Sequence, residues 1–154
     1  MRFFIAVAVV CVSTFAQPKD LTADFEVPDG LRVSLWAESP HLFNPTAMDV
    51  DARGRIWVTE AVNYRKWGTR NPGRFHEKGD RVVILEDTDG DGRCDSSKVF
   101  VQEKGLVAPL GICVLGNEVF VSCSPDIIKY TDTDGDDVPD KREVFLTGFG
   151  GHDH

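Results

Sequence analysis

An all-β fold made of two repeated four-stranded units is what this sequence predicts, and three observations carry the expectation. Helical periodicity is absent after the first sixteen residues. Short runs rich in Val, Ile, Phe and Trp take its place, each bounded by Gly, Pro, Asn or Asp. The connections carry turn chemistry: "DARG" (Asp51–Gly54), "GN" (Gly116–Asn117) and "SPD" (Ser124–Asp126). The runs also fall into two sets that parallel one another, "PTAMDVDARGRIWVTE…RVVILEDTDGDGRCDSSKVF" and "APLGICVLGNEVFVSCSPDIIKYTDTDGDDVPDKREVF", with Asp132 standing 45 residues after Asp87. Four strands in about 45 residues is the period of a β-propeller blade. The expected fold is therefore an incomplete β-propeller, about two four-stranded blades plus an N-terminal strand. A propeller typically closes with about four to eight blades, so the chain reads as a fragment of a ring, as does its end at "GFGGHDH" just after a strand.

The strands are expected at Arg32–Ala37, Ala47–Val50, Arg55–Glu60, Arg81–Glu86, Lys98–Val101, Leu110–Leu115, Glu118–Cys123, Ile127–Tyr130 and Glu143–Leu146. The first has no partner inside the two sets and would complete the last blade of a closed ring. The first set is lengthened by the insertion Val62–Gly79. With Gly116–Asn117 as a two-residue hairpin loop, Cys113 lies opposite Phe120 and not opposite Cys123. Cys94, Cys113 and Cys123 lack metal-ligand spacing and read as core residues.

The chain begins with one Arg, an apolar run and small residues at Thr14 and Ala16, the parts of a secretory signal peptide. The expected organisation is a signal peptide over 1–16, a linker over 17–24, and a propeller portion over 25–154, with no membrane span in the mature chain and an exported location, periplasm or cell surface. The net charge is −8, which argues against a nucleic-acid partner because phosphate binding needs a basic surface. The two Asp-rich loops hold nine of the 25 acidic residues, and without them the charges nearly balance. The acidity belongs to two places.

Carboxylates crowded this closely repel one another unless a cation sits among them. Asp87, Asp89, Asp91 and Asp95 occupy positions 1, 3, 5 and 9 of the first loop, with the Arg93 carbonyl at 7 and Gly92 at 6 for the sharp turn. Hard oxygens in that alternation suit calcium. The second loop offers Asp132, Asp134, Asp136 and Asp140 with the Val138 carbonyl, and puts Asp137 where the turn favours Gly, a residue that tolerates left-handed backbone better than most. The flanks are strand-like, so this is no EF-hand; the pattern resembles the calcium hairpins of integrin α-subunit propellers. The plainer alternative is an acidic hairpin turn.

"FEVPDGLRVSLWAESP", "NPTAMDVDARGRIWVTEAVNYR", "RVVILEDTDGDGRCD" and "LTGFGGHDH" together resemble the membrane-bound dehydrogenase family of planctomycetes and verrucomicrobia, whose N-terminal domain is similar to a soluble glucose/sorbosone dehydrogenase propeller. The resemblance covers about Phe25 to His154. It implies a six-bladed ring, export, oxidation of a small-molecule sugar or alcohol with a quinone cofactor such as pyrroloquinoline quinone, and downstream domains. No C-x-x-C-H haem motif occurs in this chain.

Within that resemblance, His152 and His154 of "GHDH" are the candidate catalytic bases, since His exchanges protons near neutral pH; a frayed terminal tail is the plainer reading. Glu60, Asn63, Tyr64 and Arg65 leave a strand where propeller loops line a pocket. Tyr64 and Arg65 are candidate cofactor-binding residues, beside Lys66, Trp67, Arg70, Arg74, Phe75, His76 and Lys78 of the insertion; a solvated surface loop is the alternative. Two rival functions stay open, a non-catalytic calcium-stapled binding propeller and a propeller lactonase or hydrolase. The signal-peptide reading predicts that exported protein starts near Gln17; N-terminal sequencing that finds Met1 overturns it.

Overall fold

The computed structural model describes residues 22, 24–64 and 75–150. The chain divides into two units, 1–35 and 36–154. The described part of the first unit contains no helix or strand and is shaped by turns, Phe25 N–H donating to the Thr22 carbonyl at 3.2 Å and Leu31 N–H to Pro28 at 3.1 Å. The signal-peptide residues lie outside the described residues.

The second unit holds eight strands: β1 (Pro45–Val50), β2 (Ile56–Glu60), β3 (Arg81–Glu86), β4 (Ser96–Gln102), β5 (Gly111–Leu115), β6 (Glu118–Cys123), β7 (Asp126–Thr131) and β8 (Lys141–Thr147). They form two four-stranded antiparallel sheets, ordered β1-β2-β3-β4 and β5-β6-β7-β8. Both sheets are open and no helix occurs among the described residues, so the fold is an incomplete β-propeller of two blades. The expected strand at Arg32–Ala37 is not formed. Its alternation suits a strand, but a strand needs a ladder, and no described strand pairs with it.

Alternation and double burial explain the sheets. β6 alternates between buried and half-buried positions, as expected of a strand with one covered face. β2 and β3 are buried at almost every position because the first blade is covered on both sides. One face joins a core shared by the two blades, in which Trp57, Ile84 and Phe100 meet Val119, Val121, Ile128 and Tyr130. The other holds Val58, Val83, Leu85 and Cys94 beneath Trp36 and Leu42. Phe100 meets Trp57 edge to face at 4.8 Å and Tyr130 at 6.3 Å. Such pairs stabilise by about 0.5–1.5 kcal/mol beyond their buried area.

Cys113 lies opposite Phe120 as the hairpin reading requires. The three described cysteines are free, and Cys94 and Cys123 are buried. Cys113 corrects the expectation of a core residue: it is exposed, because its side chain shares the outer face of the second blade with Phe120.

An ion-pair clamp joins the blades. Arg55 donates from Nε to Asp51 at 2.7 Å and from Nη1 to both carboxylate oxygens of Asp137 at 2.9 Å. Trp57 Nε1 donates to the same Asp51 oxygen at 2.9 Å. Burial works to raise the Asp51 carboxyl pKa, but the hydrogen bonds from Trp57 and Arg55 outweigh it and hold it below its ordinary value. A folded pKa below the unfolded one means that Asp51 stabilises the fold above about pH 4 and loses that contribution as pH falls through its lower folded value. Replacing Arg55 by Ala leaves Asp51 to Trp57 and Asp137 to Arg53 and Lys98, and is expected to cost about 1–3 kcal/mol in urea unfolding. The acid limb of stability should flatten in Asp51→Asn, and an unchanged limb would remove Asp51 from the clamp.

Candidate functional site

The two ends of the blades have different chemistry. One end carries the β1–β2 and β5–β6 turns and both Asp-rich loops; the other carries the Val62–Gly79 insertion and the β4–β5 connection.

At the first end the two Asp loops repeat one hydrogen-bond scheme. Asp87 accepts from Gly90 N–H and Gly92 N–H at 2.8 Å each, and Asp132 from Gly135 N–H at 2.7 Å and Asp137 N–H at 2.9 Å. Asp95 accepts from the Thr88 hydroxyl at 2.6 Å, and Asp140 from the Thr133 hydroxyl at 2.5 Å. Those Thr hydrogen bonds hold both carboxyls below the usual range. Gly92 has φ +88° and Asp137 φ +62°, so the two residues take the same left-handed turn. Ligand atoms of Asp87, Asp89 and Asp95 lie within 4.8 Å of one another, as do those of Asp132, Asp134 and Asp136. Asp91 stands outside the first group and Asp140 outside the second. Asp91 and Asp136 each receive a backbone N–H at 2.8 Å, from Arg93 and Val138.

The second loop does a further job that the sequence did not disclose. Asp137 reaches across to Arg55, and Lys98 Nζ lies 3.6 Å from it and donates to the Asp136 carbonyl. Position 12 of the first loop thus serves the second. A cavity of about 270 Å³ lies here between the blades, lined by Arg55, Trp57, Phe100, Asn117, Val119 and Asp137. Its Asp51, Arg55 and Asp137 walls are already paired with each other.

At the opposite end, Glu60 is fully buried. It accepts from Arg81 Nε at 2.6 Å, Arg81 Nη2 at 2.9 Å and Phe43 N–H at 2.8 Å. The Arg81 guanidinium stands over the Phe43 ring, 5.4 Å from its centroid. Asn63 ties the base of the insertion: its Nδ2 donates to the His76 carbonyl at 2.8 Å and its Oδ1 accepts from His76 N–H at 2.9 Å. Asp80, also fully buried, accepts from Asn63 N–H at 2.9 Å and Ala108 N–H at 2.8 Å, joining both connections. Gly79 is required by its neighbour, since a Cβ there would stand 1.7 Å from the Glu103 carbonyl oxygen, and φ is +102°. His76 packs edge-on against Phe43 at 6.3 Å, with Nδ1 buried and without a hydrogen-bond partner among the described residues.

The sequence-predicted residues therefore part company. Tyr64, within the insertion, is exposed. Arg65, Lys66, Trp67, Arg70, Arg74, His152 and His154 lie outside the described residues. Glu60 and Asn63 face inward and brace the fold. Asp80 and Arg81 escaped the sequence reading, although Arg81 was open to it: antiparallel β2 and β3 put Glu60 beside Arg81, an opposite-charge cross-strand pair. Asn63→Ala removes both ties to His76 and is expected to cost about 1–3 kcal/mol in urea unfolding; an unchanged midpoint would mean that the insertion is held from elsewhere.

Residues 17–154 match the family model described as a domain of unknown function, DUF7133. No curated protein matches the sequence. Among solved structures, the holo form of the pyranose dehydrogenase PQQ domain from Coprinopsis cinerea is similar with 22% identity and a TM-score of 0.52, over 73% of this chain and 23% of that one. The iodide structure of the Trichoderma reesei carbohydrate-active enzymes family AA12 is similar with 19% identity and a TM-score of 0.57, over 82% of this chain and 28% of that one. The calcium structure of the same family gives 19% and 0.50, over 72% and 24%. The chain spans about a quarter of the length of these structures. At such identities the likeness is one of fold, and it agrees with two blades of a propeller. On the match over nearly its whole length, the chain belongs to the DUF7133 family.

Proposed function

We propose that this chain is part of an exported propeller that oxidises a sugar or alcohol with a quinone cofactor, and that calcium staples its blades at the Asp-rich loops. The observation that carries the calcium half is the paired geometry, in which each loop gathers three carboxylates within 4.8 Å. The donor set fits the ion, being all hard oxygen with no thiol or imidazole. Asp87, Asp89 and Asp95 would hold one ion and Asp132, Asp134 and Asp136 the other, with Asp91, Asp140 and the carbonyls of Arg93 and Val138 as further oxygens. The ion would supply charge neutralisation and stiffness. It would do so at the end of the blades away from the insertion.

The redox half rests on the fold shared with the PQQ domain of pyranose dehydrogenase and on the family resemblance of the sequence. The described residues do not complete a cradle for an anionic quinone. Arg81 stands beside the buried end of the insertion, and Glu60 already neutralises it. Tyr64 and Arg65 remain the proposed cofactor contacts, and His152 and His154 the proposed bases.

Calcium at about a hundredfold excess over Kd should stabilise the folded chain by about 2.7 kcal/mol. Asp89→Asn and Asp134→Asn are the informative variants. Each removes one charge while its amide oxygen keeps the single backbone N–H that the carboxylate holds, from Asp91 and from Asp136. Calorimetric titration should show weaker binding in each and still weaker binding in the double variant. Equal affinity across the set would reduce the loops to acidic turns. Dye reduction by the pyrroloquinoline-quinone-loaded protein with pyranoses or alcohols tests the redox half; glycan binding without turnover, or lactone hydrolysis, would replace it with one of its rivals.

A further inference from the structure

The cavity between the blades at the Asp-loop end holds more room than its ion pairs need. Its volume of about 270 Å³ approaches that of the smallest ligand pockets, about 300 Å³, and far exceeds the share of one water, about 30 Å³. Every residue that lines it belongs to the two blades described, so its walls are whole in this chain. Trp57, Phe100 and Val119 give it an apolar floor, all three buried, while Ala52 and Asn117 stand exposed at its mouth, in the two hairpin turns.

Few polar groups on the walls are left to meet a ligand. Asp51 is saturated. Its Oδ1 accepts from the N–H groups of Arg53 and Arg55 at 2.9 and 3.0 Å, and its Oδ2 from Arg55 Nε and Trp57 Nε1 at 2.7 and 2.9 Å. Asp137 takes Arg55 Nη1 on both oxygens and Arg53 Nη2 at 3.2 Å. The Arg55 guanidinium is 8% exposed, and its Nη2 has no acceptor among the described residues. That nitrogen is not sealed in, because His76 Nδ1 is the one buried side-chain nitrogen or oxygen without a partner among them. Its two N–H groups therefore open into the cavity that Arg55 lines. A donor on a buried charge is costly to leave unmet, so an acceptor that enters is held there. The Asn117 carbonyl is taken by Asp132 N–H at 3.0 Å, but its side-chain amide makes no hydrogen bond among the described residues and offers both a donor and an acceptor.

We propose that this cavity binds a neutral sugar ring. Asp51, Asp132 and Asp137 on its walls oppose an anion, and Arg53 and Arg55 oppose a cation. A neutral ligand here must accept from Arg55 Nη2 and exchange hydrogen bonds in both directions with Asn117, and a hydroxyl group does each. Two neighbouring ring hydroxyls match the two N–H groups of Nη2, and the C–H face of a pyranose matches the apolar floor. The site lies at the end of the blades away from the insertion. It is thus separate from the proposed redox contacts, and neither reading depends on the other.

Methyl α-D-glucopyranoside and methyl α-D-galactopyranoside are suitable probes, since neither has a free anomeric hydroxyl. In calorimetric titration of the full chain at least one should bind in the millimolar range, without competition from phosphate or ethylammonium. The Trp57 indole N–H resonance should move as the sugar is added. Asn117→Ala should weaken binding about fivefold, the worth of one net hydrogen bond, and Ala52→Trp should block the mouth and abolish it. Both substitutions lie at exposed turns, and an unchanged urea midpoint verifies that the fold is intact. Failure of both sugars to bind, undiminished affinity in either variant, competition by either ion, or a resonance shift confined to Trp67 of the insertion overturns the inference. Should a variant fold poorly, the wild-type Trp57 resonance decides: if it stays still at saturating sugar, the cavity is not the site.

Discussion

The guanidinium of Arg55 is the interaction on which the arrangement of the blades depends. It lies between Asp51, in its own turn, and Asp137, in the loop of the next blade, and it rides over Trp57 with 5.5 Å to the ring centroid. A cation taken this far out of water is tolerable only when its donors are satisfied, and satisfying them requires both blades. The clamp therefore reports on docking: if the second blade slips, Arg55 is left buried with half its partners. Trp57 contributes in the same place from both sides of its chemistry. Its ring fills the shared core and its N–H fixes the Asp51 carboxylate.

The two ends of the blades follow different physical rules. At the Asp-loop end, carboxylates spend many of their lone pairs on backbone N–H groups of their own loop, so the turns are shaped before any cation arrives. At the insertion end, the buried carboxylates Glu60 and Asp80 are spent on tying separate segments together: Glu60 holds Arg81 and Phe43, and Asp80 holds Asn63 and Ala108. Fully buried acids are costly without partners, and here each one is matched by N–H donors from at least two places in the chain. The insertion is thereby anchored at its base.

Much of this was legible in the sequence, for identifiable reasons. The blade repeat was readable because both copies keep the same order of strand, turn, strand, strand, Asp loop, strand. The Cys113–Phe120 register followed from a two-residue turn, and the left-handed Asp137 from its alignment with Gly92. What stayed hidden depends on contacts between blades. The spacing of Asp132, Asp134 and Asp136 shows a loop, but not that Asp137 beside them is aimed at Arg55, 82 residues earlier. The stretch Arg32–Ala37 misled for the converse reason: alternation records the habit of a strand, and a strand also needs a neighbour. Glu60 and Asn63 were read as leaving a strand toward a pocket, but polarity alone does not tell a pocket wall from a buried brace.

The disposition of the thiols sets how the chain would fare under oxidising conditions. Burial pushes the Cys94 and Cys123 thiols above their ordinary pKa, which keeps them protonated, and a protonated thiol is a poor nucleophile. Cys123 is further occupied by Val107, whose N–H lies 3.3 Å from its sulfur. Cys113 faces Phe120 across the hairpin, so its strand partner offers it no sulfur for an internal bridge. Among the described thiols, exchange chemistry is thus confined to one address on the outer face of the second blade, and whatever covers that face also removes the one exposed described thiol from the solvent.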